Sequence, residues 1–157
     1  MRKTLLPLFL AAAVLPTSLG SCKSQKDAAT DATASAAATD GKWYFTAVGD
    51  SEVHNSDAAE EWPYLMFDPA AGRVSGNAGC NQLSGSYTCT AAGDITFGDD
   101  MISTRMLCPD MSLERKVLQS LPSVRHYTIT DGSLTLTAAD GTRVAVMSRT
   151  APTDGDQ

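Results

Sequence analysis

The last third of the chain does most to narrow its fold. Tyr127 and Ile129 share one face of an alternating run, Asp131-Gly132 follows, and Leu134 and Leu136 continue the apolar face. Alternation with period two marks half-buried strands, and Asp-Gly suits a two-residue turn with positive φ, which joins antiparallel neighbours. Asp140-Gly141 then precedes Thr142–Met147, where Val144 and Val146 alternate with Arg143 and Ala145. A three-stranded meander accounts for the segment, and its apolar face demands further sheet to pack against.

Upstream, short strand-like runs recur between turn residues. Lys42–Val48 is aromatic and β-branched and fits a first strand. Pro63–Phe67 is a second, Asp68–Gly72 turns, and Arg73–Ser75 returns. Gly85–Thr90 and Ile95–Phe97 flank the turn Ala91–Asp94, whereas Ser51–Glu61, acidic around His54, reads as a solvated loop. One helix interrupts the pattern. Pro109 ends a ladder, Asp110 can cap exposed amides, and Leu113, Val117 and Leu121 form a stripe with Leu118 beside it. Glu114, Arg115, Lys116 and Gln119 are expected to face water, and Pro122 stops the helix. Such a helix cannot bury its stripe alone and must lie on the sheet. The expected class is α+β: a mostly antiparallel, strongly curved or barrel-like sheet of about eight strands with one packed α-helix.

Two separated segments carry a family resemblance. Val74–Tyr87, with Gly79-Cys80-Asn81 and Gly85, resembles the Gly-Cys-Asn segment of META domains, also called the HslJ-like family. Thr104-Arg105-Met106-Leu107-Cys108 resembles that family's Thr-x-Met-x-Cys segment, and Trp43 fits its usual first strand. The resemblance covers roughly residues 41–149. It implies a compact antiparallel sheet with a packed helix, a place in the bacterial envelope, and an association with stress or drug-tolerance phenotypes. It carries over no catalytic residues. Read physically, Gly76, Gly79 and Gly85 suit a tight, irregular loop, which Asn77 and Asn81 can close by bonding to nearby backbone. The loop has no GxGxxG pattern and no Lys after the glycines, which argues against phosphate binding.

The resemblance also pairs the motif cysteines, Cys80 with Cys108. The residues themselves leave Cys80–Cys89 open, since both lie near one hairpin. With Cys80–Cys108 closed, Cys89 becomes a small apolar residue on the face of Tyr87. A metal is not expected: no CxxC is present, and only His54 and His126 could add nitrogen ligands.

The N-terminus reads as an address. Arg2 and Lys3 precede an apolar stretch from Leu5 to Leu15, too short to remain as a spanning helix. Leu19-Gly20-Ser21-Cys22 resembles the lipobox of bacterial lipoprotein signals, which implies cleavage before Cys22 and acylation of Cys22. More than one acyl chain gives stable anchoring without a spanning helix. Residues 1–21 are then the signal peptide. Residues 22–40 are the lipidated Cys and a flexible tether, because the stretch after Cys22 holds no large apolar residue. A coil of that length reaches on the order of 25 Å. Residues 41–149 form the domain, and 150–157 read as a disordered tail. Lys23 departs from the Asp-type inner-membrane retention signal, which favours the outer membrane, facing the periplasm or the cell surface.

Charge and motif content set the functional expectation. The whole chain carries a net −6, and losing Arg2 and Lys3 with the signal takes it to −8. An acidic protein does not hold nucleic acid by neutralising phosphates. HExxH, GxSxG and SxxK are all missing, and the adjacent Glu60 and Glu61 diverge on most backbones. The expectation is a lipid-anchored, non-catalytic envelope module without a cofactor, with a binding or stabilising role and the membrane as its partner through Cys22. One alternative is an inhibitor-like module for an envelope enzyme, marked by a rigid exposed loop at Asn81–Ser84 or an exposed patch of Trp43, Trp62 and Tyr64. The other is an unrecognised enzyme, marked by a concave pocket with perturbed titrating groups.

Overall fold

A computed structural model describes residues 38–55 and 61–153. The proposed signal residues, Leu19, Gly20, Ser21 and Cys22, lie outside them. Ten strands follow in chain order: β1 (Gly41–Val48), β2 (Ser51–Glu52), β3 (Tyr64–Asp68), β4 (Arg73–Asn77), β5 (Gln82–Cys89), β6 (Ile95–Phe97), β7 (Ile102–Ser103), β8 (Val124–Thr130), β9 (Ser133–Ala138) and β10 (Arg143–Ser148). Helix α1 (Ser112–Ser120) and a 3-10 turn (Leu121–Ser123) separate β7 from β8.

Eight strands form one antiparallel path, β6-β5-β4-β3-β1-β10-β9-β8, with β2 added to β1 and β7 to β5. The two ends of the path meet. Tyr127 N–H donates to Gly93 O at 2.7 Å, Asp94 bridges His126, and Tyr127 Oη donates to Thr90 O at 3.0 Å. Closing the path removes edges that would otherwise present unpaired backbone to other chains. The result is a nearly closed barrel with helix α1 packed on it.

Alternation explains the interior. Trp43, Phe45, Leu65, Phe67, Val74, Leu83, Tyr87, Ile95, Tyr127, Leu134, Leu136 and Met147 all point inward and are buried. Phe67 meets Tyr87 edge-on at 5.0 Å between ring centroids. Asp131 and Gly132 both take positive φ, as their turn requires. On α1 the stripe residues Val117 and Leu121 are buried, and Leu113 and Leu118 pack against the core.

Several expectations need revision. Ser51–Glu52 is not loop but pairs with Val48–Ala47, a bridge too short and polar to show a period. The segment from Gly76 to Gly85 is mostly ladder: β4 runs to Asn77, β5 starts at Gln82, and only Ala78–Asn81 turns. Gly76 is needed for close approach, since a Cβ there would stand 2.1 Å from the backbone oxygen of Tyr64. Glu114 does not face water but is buried. Met111 is the residue before α1, although Asp110 still accepts from Ser112 N–H at 2.8 Å.

The ordered body is slightly longer than residues 41–149. Thr39 is fully buried, its carbonyl accepts from Trp43 Nε1 at 2.8 Å, and Ala151 packs against the core. Arg149 ties these ends together. Its guanidinium stacks over Trp43 at 3.9 Å and donates to the carbonyls of Ala38 and Asp40. The chain therefore enters and leaves the barrel at one pole, where β1 begins and β10 ends. The opposite pole, at the far ends of β1 and β10, is covered by α1.

An acidic side chain fastens the connection between β6 and β7. Asp100 accepts from Ser86 N–H and Oγ–H at 2.8 and 2.6 Å and pairs with Arg73 at 2.8 Å. Those Ser86 bonds, helped by Arg73, hold its carboxyl at about 2, below the ordinary 3.8. A carboxyl depressed in the folded state stabilises it above the unfolded value, and the contribution is lost as pH falls through the folded value. Thermal melting of Asp100→Asn is accordingly expected to flatten the decline in stability between about pH 4 and pH 2. A variant with the parent's full acid sensitivity in that window would contradict the assignment.

Candidate functional site

The pole covered by α1 gathers the sequence motifs. Asn77 Oδ1 accepts from Gly79 N–H at 2.6 Å, and Gly79 adopts φ +120°, which glycine tolerates. The turn delivers Cys80 and Asn81 to the start of β5. Cys80 is joined to Cys108 by a disulfide, with 6.2 Å between their Cα atoms. The Cys80–Cys89 alternative does not occur. Cys89 lies at the other end of β5 as a half-buried free thiol, and burial pushes its pKa up. A raised pKa makes it a poor nucleophile.

Asn81 is the centre of the arrangement and has no solvent exposure. Its Nδ2 donates to the Glu114 carboxylate at 2.9 and 3.1 Å and to Met106 O at 3.2 Å. Its Oδ1 accepts from Met106 N–H and Thr104 Oγ1, both at 2.7 Å. Asn81 N–H itself donates to Glu114 Oε2 at 3.0 Å. An amide offers two donors and two acceptor lone pairs, so this set uses its whole capacity. Thr104 N–H adds a ladder bond to Gln82 O at 2.9 Å.

These bonds hold the backbone of Thr104 and Met106 while the side chains of 105–107 stay outside. Arg105 is exposed, Met106 is 58% exposed and Leu107 is 96% exposed. Among the described residues, three of the four exposed large apolar side chains, Ile102, Met106 and Leu107, fall within residues 102–107. The expected exposed loop at Asn81–Ser84 is not found, because Asn81 and Leu83 are buried; the exposed apolar side chains lie instead at 106–107. The aromatic alternative fails, because Trp43 and Trp62 are both in the core.

Sequence reasoning brought Gly79, Cys80, Asn81, Thr104, Met106 and Cys108 forward, and the structure brings all six together. Gly85 lies apart, mid-way along β5, where a Cβ would overlap the Met101 sulfur. Glu114 was missed. It stands three residues before Val117 and seven before Leu121, so it lies on the apolar stripe, and a carboxylate there signals a buried partner.

A concavity lies at the same pole, between α1 and the ends of β1 and β10. It is an open cleft of about 680 Å³ with a floor of Val48, Ala138 and Val144. Lys116 Nζ donates across it to Ser51 Oγ at 3.0 Å, and Arg143 pairs with Asp50 at 3.3 Å. His126, at a different place, is exposed and bonds Asp94 at 3.1 Å. Among the described residues no group of three or more His, Cys, Asp or Glu is placed to hold a metal ion, and no helix is long and apolar enough to cross a membrane.

Similar proteins bear on the fold. The META domain family model matches residues 36–151. A protein from Burkholderia xenovorans, solved by NMR, is 20% identical with a TM-score of 0.55, over 95% of this chain and 99% of that one. A second NMR structure is also 20% identical, with a TM-score of 0.54 over 70% of this chain and 89% of that one. A DUF4847 family protein from Bacteroides vulgatus, in a crystal structure, is 11% identical with a TM-score of 0.51, over 73% of this chain and 96% of that one. No curated protein matches the chain. At these identities the structural likeness concerns the fold alone.

Proposed function

The chain belongs to the META domain family, and from that premise we propose that it is a lipid-anchored, non-catalytic binding module of the bacterial cell envelope, held through Cys22 and active in envelope stress or drug tolerance. The observation that carries this reading is the sequence before the barrel. A basic start, an eleven-residue apolar stretch and Leu19-Gly20-Ser21-Cys22 precede a polar, Ala-rich segment that leads to the folded body. A tether of that length lets the barrel work within about 25 Å of the lipid surface.

The barrel interior supports binding over chemistry. Large side chains fill it, and the strongest pKa depression that the geometry explains is that of Asp100, a surface carboxylate fixing a turn. Catalytic groups instead tend to combine desolvation with a specific charge partner inside a cleft. The partner-binding form of the reading is favoured by the loop at 105–107, whose central residue Met106 has its backbone held by the buried Asn81 while the apolar side chains stay in water.

The test is fractionation of the full chain in cells. Cys22→Ser is expected to move the protein from the membrane to the soluble envelope fraction, and globomycin is expected to accumulate the uncleaved parent. A Cys22→Ser protein that still sediments with membranes would refute the anchoring.

A further inference from the structure

We propose that residues Arg105-Met106-Leu107 form a preorganised recognition loop that inserts into a concave, apolar cleft of a partner protein with a carboxylate at its rim. This deepens the partner-binding reading above and rests on it.

The arrangement is costly. Burying a Leu or Met side chain is worth roughly 1.5–3 kcal/mol, yet Leu107 is almost wholly in water. A mobile loop could fold such residues against the barrel. Here Thr104 N–H is bonded to Gln82 O, both backbone groups of Met106 are bonded to Asn81, and Cys108 is covalently fixed. The exposed position is therefore imposed by the core. Fixing a loop before binding removes the ordering cost that association otherwise carries.

The loop also stands far from where the chain enters. β5 runs from Gln82, beside the loop, to Cys89, whose sulfur is 4.0 Å from Thr39 Oγ1 at the point where the chain enters. Eight residues of strand separate the two by about 23 Å. The loop thus lies at the pole opposite the one where the chain enters, and an acidic body is repelled by an anionic bilayer, which favours a protein as its occupant. A convex loop calls for a concave partner.

Charge points to the same kind of partner. Residues 41–149 hold 13 acidic and 8 basic side chains, but Arg105 makes no ion pair among the described residues. Asp110, the next carboxylate along the chain, accepts from Ser112 N–H. An exposed guanidinium with no ion pair among the described residues, beside two exposed apolar side chains, matches the composition of interface hot spots, and its complement is a carboxylate.

The experiment places a photo-crosslinking amino acid at Leu107 of the full chain in intact cells, with the same label at the exposed Thr130 near the tether pole as the control. A discrete protein adduct is expected from position 107 and not from 130, with its cross-linked peptide in an apolar cleft that carries Asp or Glu. Arg105→Glu or Met106→Asp in the labelled chain is expected to cut the adduct about thirtyfold, as loss of a hot-spot residue does, while Arg105→Lys retains most of it. At such exposed positions these changes should leave thermal melting within a degree or two of the parent. No adduct, adducts only to lipid or to a second copy of the chain, equal labelling from 130, or indifference to Arg105→Glu would each overturn the proposal. The exported Cys22→Ser chain should give the same adduct, so recognition by the loop and anchoring through lipid fail independently.

Discussion

Asn81→Ala is expected to destabilise the domain by about 3–5 kcal/mol, the largest effect of any single polar substitution in this molecule. The amide satisfies Glu114, the Thr104 hydroxyl and both backbone groups of Met106 at once. A methyl group leaves the Glu114 carboxylate buried with the backbone N–H of residue 81 as its remaining donor from this turn. A buried acceptor stripped of its donors costs more than the bond contributed, because desolvation is no longer offset. Glu114→Ala should be damaging for the reciprocal reason, stranding Asn81 Nδ2. The double variant should cost clearly less than the two single losses added together, since both remove one network. Urea unfolding of the four proteins measures this, and strict additivity would show that the two side chains act separately.

Removing the disulfide is the second large effect, and its mechanism differs. Cys80 and Cys108 are 28 residues apart, and closing a loop of that size restricts the unfolded chain by about 3–4 kcal/mol in the entropy model. Cys80→Ser/Cys108→Ser should lose about that much stability while the native loop changes little, because Asn81 still grips Met106. Exposed loop amides should therefore keep nearly their parental NMR shifts. In Asn81→Ala they should move even where the protein remains folded. An unchanged unfolding midpoint after disulfide removal would mean that the denatured chain is already restricted.

How far the sequence reveals all this depends on whether the partner of each residue is local. The meander from Tyr127 to Met147 is legible because alternation and two Asp-Gly turns are properties of neighbouring residues. So is α1, where Val117 and Leu121 fall on one stripe. The buried network is not, because Asn81 meets Glu114 across 33 residues and Met106 across 25. A reading limited to nearby backbone assigned Asn81 to closing its own turn and Glu114 to solvent. Gly76 misled for a related reason: its role is to make room for the Tyr64 carbonyl on the next strand, and strand-to-strand contact leaves no local period. The helix did contain a usable clue, a carboxylate three residues before a buried Val on the same face.

Recognition by residues 105–107 requires an exposed apolar loop held as rigidly as the barrel that carries it. Backbone ¹⁵N relaxation at Arg105, Met106 and Leu107 measures this directly. Order parameters near 0.85, equal to those of β4 and β5, are the expected result, whereas values below about 0.6 at these three amides would show a floppy loop and contradict the account.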